Sequence, residues 1–140
     1  MNRSRINSAL SQYNNVSVTG GVEDATPHRL IQMLMEGALD KIATAKGHML
    51  HHNLAEKGRH ISWAISIIGG LQNSLDMKAG GEISANLDNL YDYMIRRLGQ
   101  AGASNDPAIL DEVSILLIEV KSAWDVLPKQ LASDSRQAAS

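Results

Sequence analysis

The residues with the clearest chemical potential are histidines. His48, His51 and His52 fall close together, and His60 follows on. A neutral imidazole is a good metal ligand, and two of them four apart on a helix share one face. His48 and His52 have that spacing. The stretch does not read H-E-x-x-H, however, so the expected third ligand or general base is missing. Asn53 also marks a helix break at this point. A solvated helix end explains these residues more simply, and no metal site is assigned. Gly80-Gly81-Glu82 is no phosphate loop, because the Lys-Ser/Thr that would follow is absent. A helix N-terminus attracts anions, but Glu82 already puts a negative charge there. Asp88 and Asp92 share a helical face, and Asp92 lies four before Arg96. That is the spacing of a charge-paired, solvated surface, worth about 0.2–0.5 kcal/mol. Scattered serines show no nucleophile–base constellation. The expectation is a non-enzyme with no catalytic residue and no cofactor.

The elements that carry these residues follow from composition and periodicity. The chain has 140 residues, 44% hydrophobic and 20% charged, and a net charge of −2. This is the size of one domain able to bury a core without staples. Cys and Phe are both absent and aromatics are 4%. Disulfides and thiolate metal sites are excluded, and aliphatic residues with six Met must build the core. No apolar run approaches the roughly 20 residues that span a bilayer. The charge gives no reason to expect nucleic acid or an anionic membrane as partner.

Residues 1–25 form a polar, Ser/Asn-rich arm with sparse apolar residues, among them Leu10, Tyr13 and Val16. A first helix is predicted over about 27–51, opened by Thr26-Pro27 and striped by Leu30, Leu34, Ala38, Ile42, Ala45 and Met49. A second, over about 54–77, starts at Asn53 with Glu56 in capping-box position. The Gly80-Gly81 turn leads into a third over about 82–99, which Gly99 and Gly102 help to end. A fourth, over about 107–127, is opened by Asp106-Pro107 and carries Leu110, Val113, Leu117, Val120, Trp124 and Leu127. Its steps of three and four suit left-handed bundle packing. Residues 129–140 read as a disordered tail. The fold class is therefore all-α: an antiparallel up-down four-helix bundle over 26–128, with an N-terminal arm able to dock on it.

The second and third helices are apolar over wider arcs than one seam requires. Such arcs are commonly core, but they can also leave a groove for an added helix. The groove candidates are Ile61, Ile65, Ile68, Leu71, Ile83, Leu87, Tyr91, Met94, Ile95 and Leu98. Leu90 and Tyr91 are adjacent, so they point about 100° apart. Leu90 is expected in the core and Tyr91 on the groove wall.

These residues resemble the flagellin-specific export chaperones, the FliS family. The resemblance rests first on Gly80-Gly81-Glu82-Ile83, then Asn86-Leu87, then Leu90-Tyr91-Asp92-Tyr93-Met94-Ile95-Arg96-Arg97-Leu98. Thr26-Pro27-His28-Arg29-Leu30-Ile31-Gln32-Met33-Leu34 with Glu36-Gly37-Ala38, and the closing Ala123-Trp124, add to it. It runs from about Tyr13 to Trp124, although Met35 stands where the family usually has Phe or Tyr. The resemblance implies a bacterial cytosolic chaperone that binds the disordered C-terminal segment of flagellin, prevents premature polymerisation and delivers it to the type III export gate. It further implies that the arm, with Leu10 and Tyr13, covers part of the groove and helps dock the loaded chaperone on the gate's cytosolic domain. The implied partners are flagellin and that gate, with no nucleic acid and no direct membrane insertion. The competing reading is a self-associating helical bundle, a structural or adaptor protein whose surplus apolar face makes a homodimer when empty.

Overall fold

The computed structural model describes residues 25–127. Among them lie four α-helices and no strand: α1 (Pro27–Leu50), α2 (Leu54–Asn73), α3 (Met77–Ser104) and α4 (Pro107–Asp125). Each helix packs on its chain neighbours, and α1 also packs on α4. Short links joining antiparallel neighbours, with the first and last helices in contact, make the all-α up-down four-helix bundle. The arm, with Leu10 and Tyr13, and the C-terminal tail lie outside the described residues.

Local chemistry starts the helices. Thr26 Oγ1 accepts the Arg29 backbone N–H at 3.1 Å, and Pro27 occupies the first turn of α1. Asp106 accepts the Ala108 N–H at 3.0 Å ahead of Pro107 in α4. The buried line of α1 is Leu30, Leu34, Ala38, Ile42, Ala45 and Met49, widened by Ile31 and Met35. It meets Ile61, Ala64, Ile67, Ile68 and Leu71 from α2, Tyr91, Met94 and Leu98 from α3, and Leu110, Val113 and Leu117 from α4. Met35 is 1% exposed and fills its place in the core with a flexible thioether.

α2 begins at Leu54 as expected but without the expected cap, while the link from α2 to α3 and the end of α3 differ from the sequence reading. The Asn53 side chain makes no capping hydrogen bond, and His52 turns the chain there with φ 58°. Glu56 bonds Arg59 at 3.0 Å instead of reaching back to Asn53. α2 stops at Asn73, where the buried Ser74 hydroxyl donates to Leu71 O at 2.7 Å. Asp76, read as part of the second helix, instead caps α3 by accepting the N–H groups of Lys78 (3.1 Å) and Ala79 (2.9 Å).

α3 therefore opens before the glycine pair and kinks within it. Gly81 takes φ 53°, ψ −128°, a left-handed φ that side chains avoid. The Ser84 hydroxyl closes the kink by donating to Asp76 O at 3.0 Å, and a side chain on Gly80 would overlap that hydroxyl. At its other end α3 runs through Gly99 and Gly102 to Ser104 and stops on Asn105 at φ 50°. The two glycines do not end it, because packing continues past them. Ala101 is buried, and a Cβ on Gly102 would sit 3.4 Å from Ile61 Cδ1.

Polar clasps close both ends of the bundle. At the end where the chain enters α1, Trp124 Nε1–H donates to His28 O at 2.9 Å. His28 Nε2 lies 2.8 Å from Trp124 O, and a carbonyl only accepts, so this nitrogen carries the proton. The two rings stack with centroids 5.0 Å apart. At the far end the buried Lys57 donates from Nζ to Gly102 O (2.9 Å) and Asn105 Oδ1 (2.5 Å). A cation there suits the unpaired carbonyls at the C-terminus of α3.

The glycines give opposite expectations. A Cβ on Gly69 would meet nothing within 4 Å. Gly69→Ala should therefore raise stability by up to about 1 kcal/mol, the usual helix-interior difference. Gly81→Ala should lower it by about 1–3 kcal/mol, because alanine resists the positive φ. Urea denaturation of the two variants beside the parent checks both signs.

Candidate partner-binding surface

The expected groove residues divide sharply by exposure. Ile61, Ile68, Leu71, Tyr91, Met94 and Leu98 are each at most 4% exposed and belong to the core. Ile65, Leu87 and Ile95 are partly buried against it. Ile83, just past the Gly81 kink, is 72% exposed.

Tyr91, expected on the groove wall, is instead a core residue. Tyr91 is 3% exposed and Leu90 only partly buried. The buried residues of α3 are Ser84, Tyr91, Met94, Leu98 and Ala101. Steps of seven, three, four and three put Tyr91 on the inward line, while Leu90 falls about 100° to one side. Burial raises the Tyr91 hydroxyl pKa to about 12.

On the Leu90 side, α3 is tied to α4 through one carboxylate. Tyr93 OH donates to Glu112 Oε2 at 2.8 Å, and Arg97 Nε–H donates to Glu112 Oε1 at 2.7 Å. The Arg97 hydrogen bond, followed by that of Tyr93, holds the Glu112 pKa below its ordinary value. The opposite edge of α4 is tied to α1 by Lys46–Asp111 (2.9 Å), Lys121–Glu36 (3.7 Å) and the Gln32–Asp125 hydrogen bond (2.8 Å).

Between these two edges, the outward face of α4 carries exposed apolar residues beside the exposed Glu119 and Ser122. Ile115 is 57% exposed and Ile118 is 50% exposed, one turn apart. Val126, the C-cap of α4, is 79% exposed and falls on the same side by helical phase. The sequence reading missed this face because it followed only the inward seam. The signal was present: Ile115-Leu116-Leu117-Ile118 is four apolar residues in a row, and they cannot all point inward. Leu50 and Leu54 are exposed at the α1–α2 corner and Met77 at the α2–α3 corner.

Among the described residues, one group of chemistry-bearing side chains comes together. His48, Glu56 and His60 each offer a donor atom, all within 4.8 Å of one another. His52 does not join His48, because its positive φ carries it out of the helix.

Tyr91→Ala should cost about 3–5 kcal/mol in urea denaturation, the usual price for an emptied aromatic site, and Leu90→Ala clearly less. In alkali the sign follows from the raised pKa. Above about pH 10 unfolded tyrosine ionises, while Tyr91 holds its proton to about 12. Its contribution to stability is complete below pH 10 and is lost as pH rises through 12. Tyr91→Phe should flatten that loss, as read from unfolding midpoints across the same range.

The comparisons with known proteins point to one family. The family model described as "Flagellar protein FliS" matches residues 9–131. The "Flagellar secretion chaperone FliSB" of Pseudomonas aeruginosa is 56% identical over 117 residues, 84% of this chain and 93% of that protein. The "Flagellar secretion chaperone FliS" of Salmonella typhimurium is 43% identical over 131 residues, 92% of this chain and 97% of that protein. That of Vibrio cholerae is 41% identical over 122 residues, 87% and 90% respectively. These relatives are named chaperones, not enzymes. With matches running from one end of the bundle to the other, the chain belongs to the FliS family.

Proposed function

We propose that this chain is an export chaperone of the bacterial cytosol that holds the disordered C-terminal segment of flagellin, prevents its premature polymerisation and delivers it to the type III export gate. Family membership supports the chaperone role. The observation that carries the holding role is the unpartnered apolar face of α4, with Ile115 57% and Ile118 50% exposed on a helix whose two edges are tied down. The exposed Ile83 and the half-buried Leu87, Ile95 and Ile65 add further accessible apolar side chains on α3 and α2. No helix among the described residues is long and apolar enough to cross a membrane.

The energetics suit a folding client. Ordering a disordered segment costs about 2–5 kcal/mol or more. Each fully buried Leu-sized anchor returns about 1.5–3 kcal/mol. Two or three anchors offset the ordering, and a longer amphipathic segment leaves a surplus without any nucleotide.

Titrating the full chain with a peptide of the flagellin C-terminal segment should give a stoichiometric complex and a gain of helicity by circular dichroism. Ile115→Asp combined with Ile118→Asp should weaken it about tenfold or more, since both side chains are already half in water. An unchanged affinity removes α4 from the surface. A stable homodimer that takes no peptide overturns the chaperone reading in favour of self-association.

The arm is proposed as the gate-docking element and as a plug over the empty surface. A plug lowers apparent affinity by the fraction of chaperone left open. Deleting residues 1–18 should leave peptide binding intact or tighter and abolish retention of the gate's cytosolic domain in a pull-down. Leu10→Ala with Tyr13→Ala should reproduce that docking loss. Loss of peptide binding on deletion would instead make the arm part of the surface.

A further inference from the structure

We propose that His48, Glu56 and His60 form a site for one borderline divalent metal ion of the zinc class, bridging the end of α1 to the start of α2. His48 lies in the last turn of α1, Glu56 in the first turn of α2, and His60 one turn further on. The chain between them is the His51-His52-Asn53 turn. Glu56 and His60 are four apart on one helix and present donors from one face. His48 supplies the third donor from the neighbouring helix, and its ring centroid is 5.2 Å from that of His60.

Several features suit a metal better than an incidental cluster. Two imidazoles and a carboxylate are the donor set zinc takes when it keeps one position for water. His60 is only 7% exposed, and its Nδ1 lies 2.8 Å from Glu56 O. A carbonyl only accepts, so Nδ1 bears the proton and Nε2 keeps the lone pair. A ligating histidine characteristically donates its other ring N–H to a backbone carbonyl, which fixes ring and tautomer before the ion arrives. The donors lie within 4.8 Å of one another, whereas a tetrahedral zinc holds them about 3.3 Å apart. The His60 nitrogen that faces Glu56 is Nδ1, 3.7 Å from Oε2, so binding at Nε2 calls for rotation of the partly exposed His48 and Glu56 side chains toward it.

The surroundings name the competitor. The Arg59 guanidinium bonds Glu56 Oε2 at 3.0 and 3.2 Å and holds that carboxyl below its ordinary pKa. Both bonds fall on Oε2, and the positive charge there competes with the ion for the carboxylate. Lys57 is turned away to Gly102 and Asn105, and Lys41 sits over the Trp63 ring at 3.9 Å.

The test is calorimetric titration of the chelator-treated full chain with Zn²⁺ near pH 7.5, with cobalt absorption reporting the geometry. The expected result is one ion per chain at a micromolar or tighter dissociation constant, with a tetrahedral Co²⁺ spectrum. His48→Gln and Glu56→Gln should each weaken binding tenfold or more, as the loss of one of three ligands demands. Both positions are partly exposed, so these variants keep their fold, checked by circular dichroism. Arg59→Ala should tighten binding, which a purely structural cluster does not predict. His51→Gln and His52→Asn should leave it unchanged. The absence of saturable binding overturns the proposal. So does binding that survives His48→Gln but is lost in His51→Gln or His52→Asn, which would assign the ion to the exposed turn.

Discussion

The structure depends on the burial of one continuous apolar line along α1. From Leu30 to Met49 its inward residues are almost free of solvent, and Ala38 and Ala45 on that line are at 0% exposure. Small residues there let neighbouring helices approach closely, which a core without Phe needs to reach protein packing density. Once α1 is covered by α2 on one side and α4 on the other, α3 has one place left, against both of them. Each fully buried Leu or Ile contributes about 1.5–3 kcal/mol, against about 1 kcal/mol for a hydrogen bond. Core burial therefore sets stability. The clasps set register: His28–Trp124 aligns the start of α1 with the end of α4, and Lys57 aligns α2 with the end of α3.

What could be seen in the sequence was what short-range chemistry decides. Thr26-Pro27 and Asp106-Pro107 announce helix starts because cap and proline act within one turn. The inward line of α1 is visible because apolar residues recur at helical steps. Asp76 was hidden because a short-side-chain acid reads equally well as the last turn of one helix or the cap of the next. Gly99 and Gly102 misled because glycine weakens a helix locally, whereas Ala101, Ile61 and Lys57 hold this one from outside. Tyr91 was misplaced because a broad stripe does not reveal its centre. That centre is fixed by Met94, Leu98 and Ala101 meeting the other helices. The grouping of His48 with Glu56 and His60 was out of reach for the same reason: it forms across a turn, not along a single helix.

On the reading proposed above, a chaperone of unfolded clients faces a conflict, because apolar surface that attracts a client also invites aggregation or collapse. This bundle separates the two demands in space. The residues that make it stable lie on α1 and on the inward faces of α2, α3 and α4. The residues that remain open, Ile83, Ile115, Ile118 and Val126, lie off those inward lines. The α4 patch is bounded by ion pairs on the α1 edge and by Glu112 on the α3 edge, so it is narrow and rimmed with charge. A narrow apolar stripe between charged edges favours an amphipathic helix over a flat hydrophobic surface. The same edges tie α4 to both neighbours, so on the proposed reading its open face is already in place when a partner arrives. The conformational cost of association then falls on the partner alone. A folded protein would have to expose its own core to match that stripe, whereas a disordered amphipathic segment has an apolar face to offer.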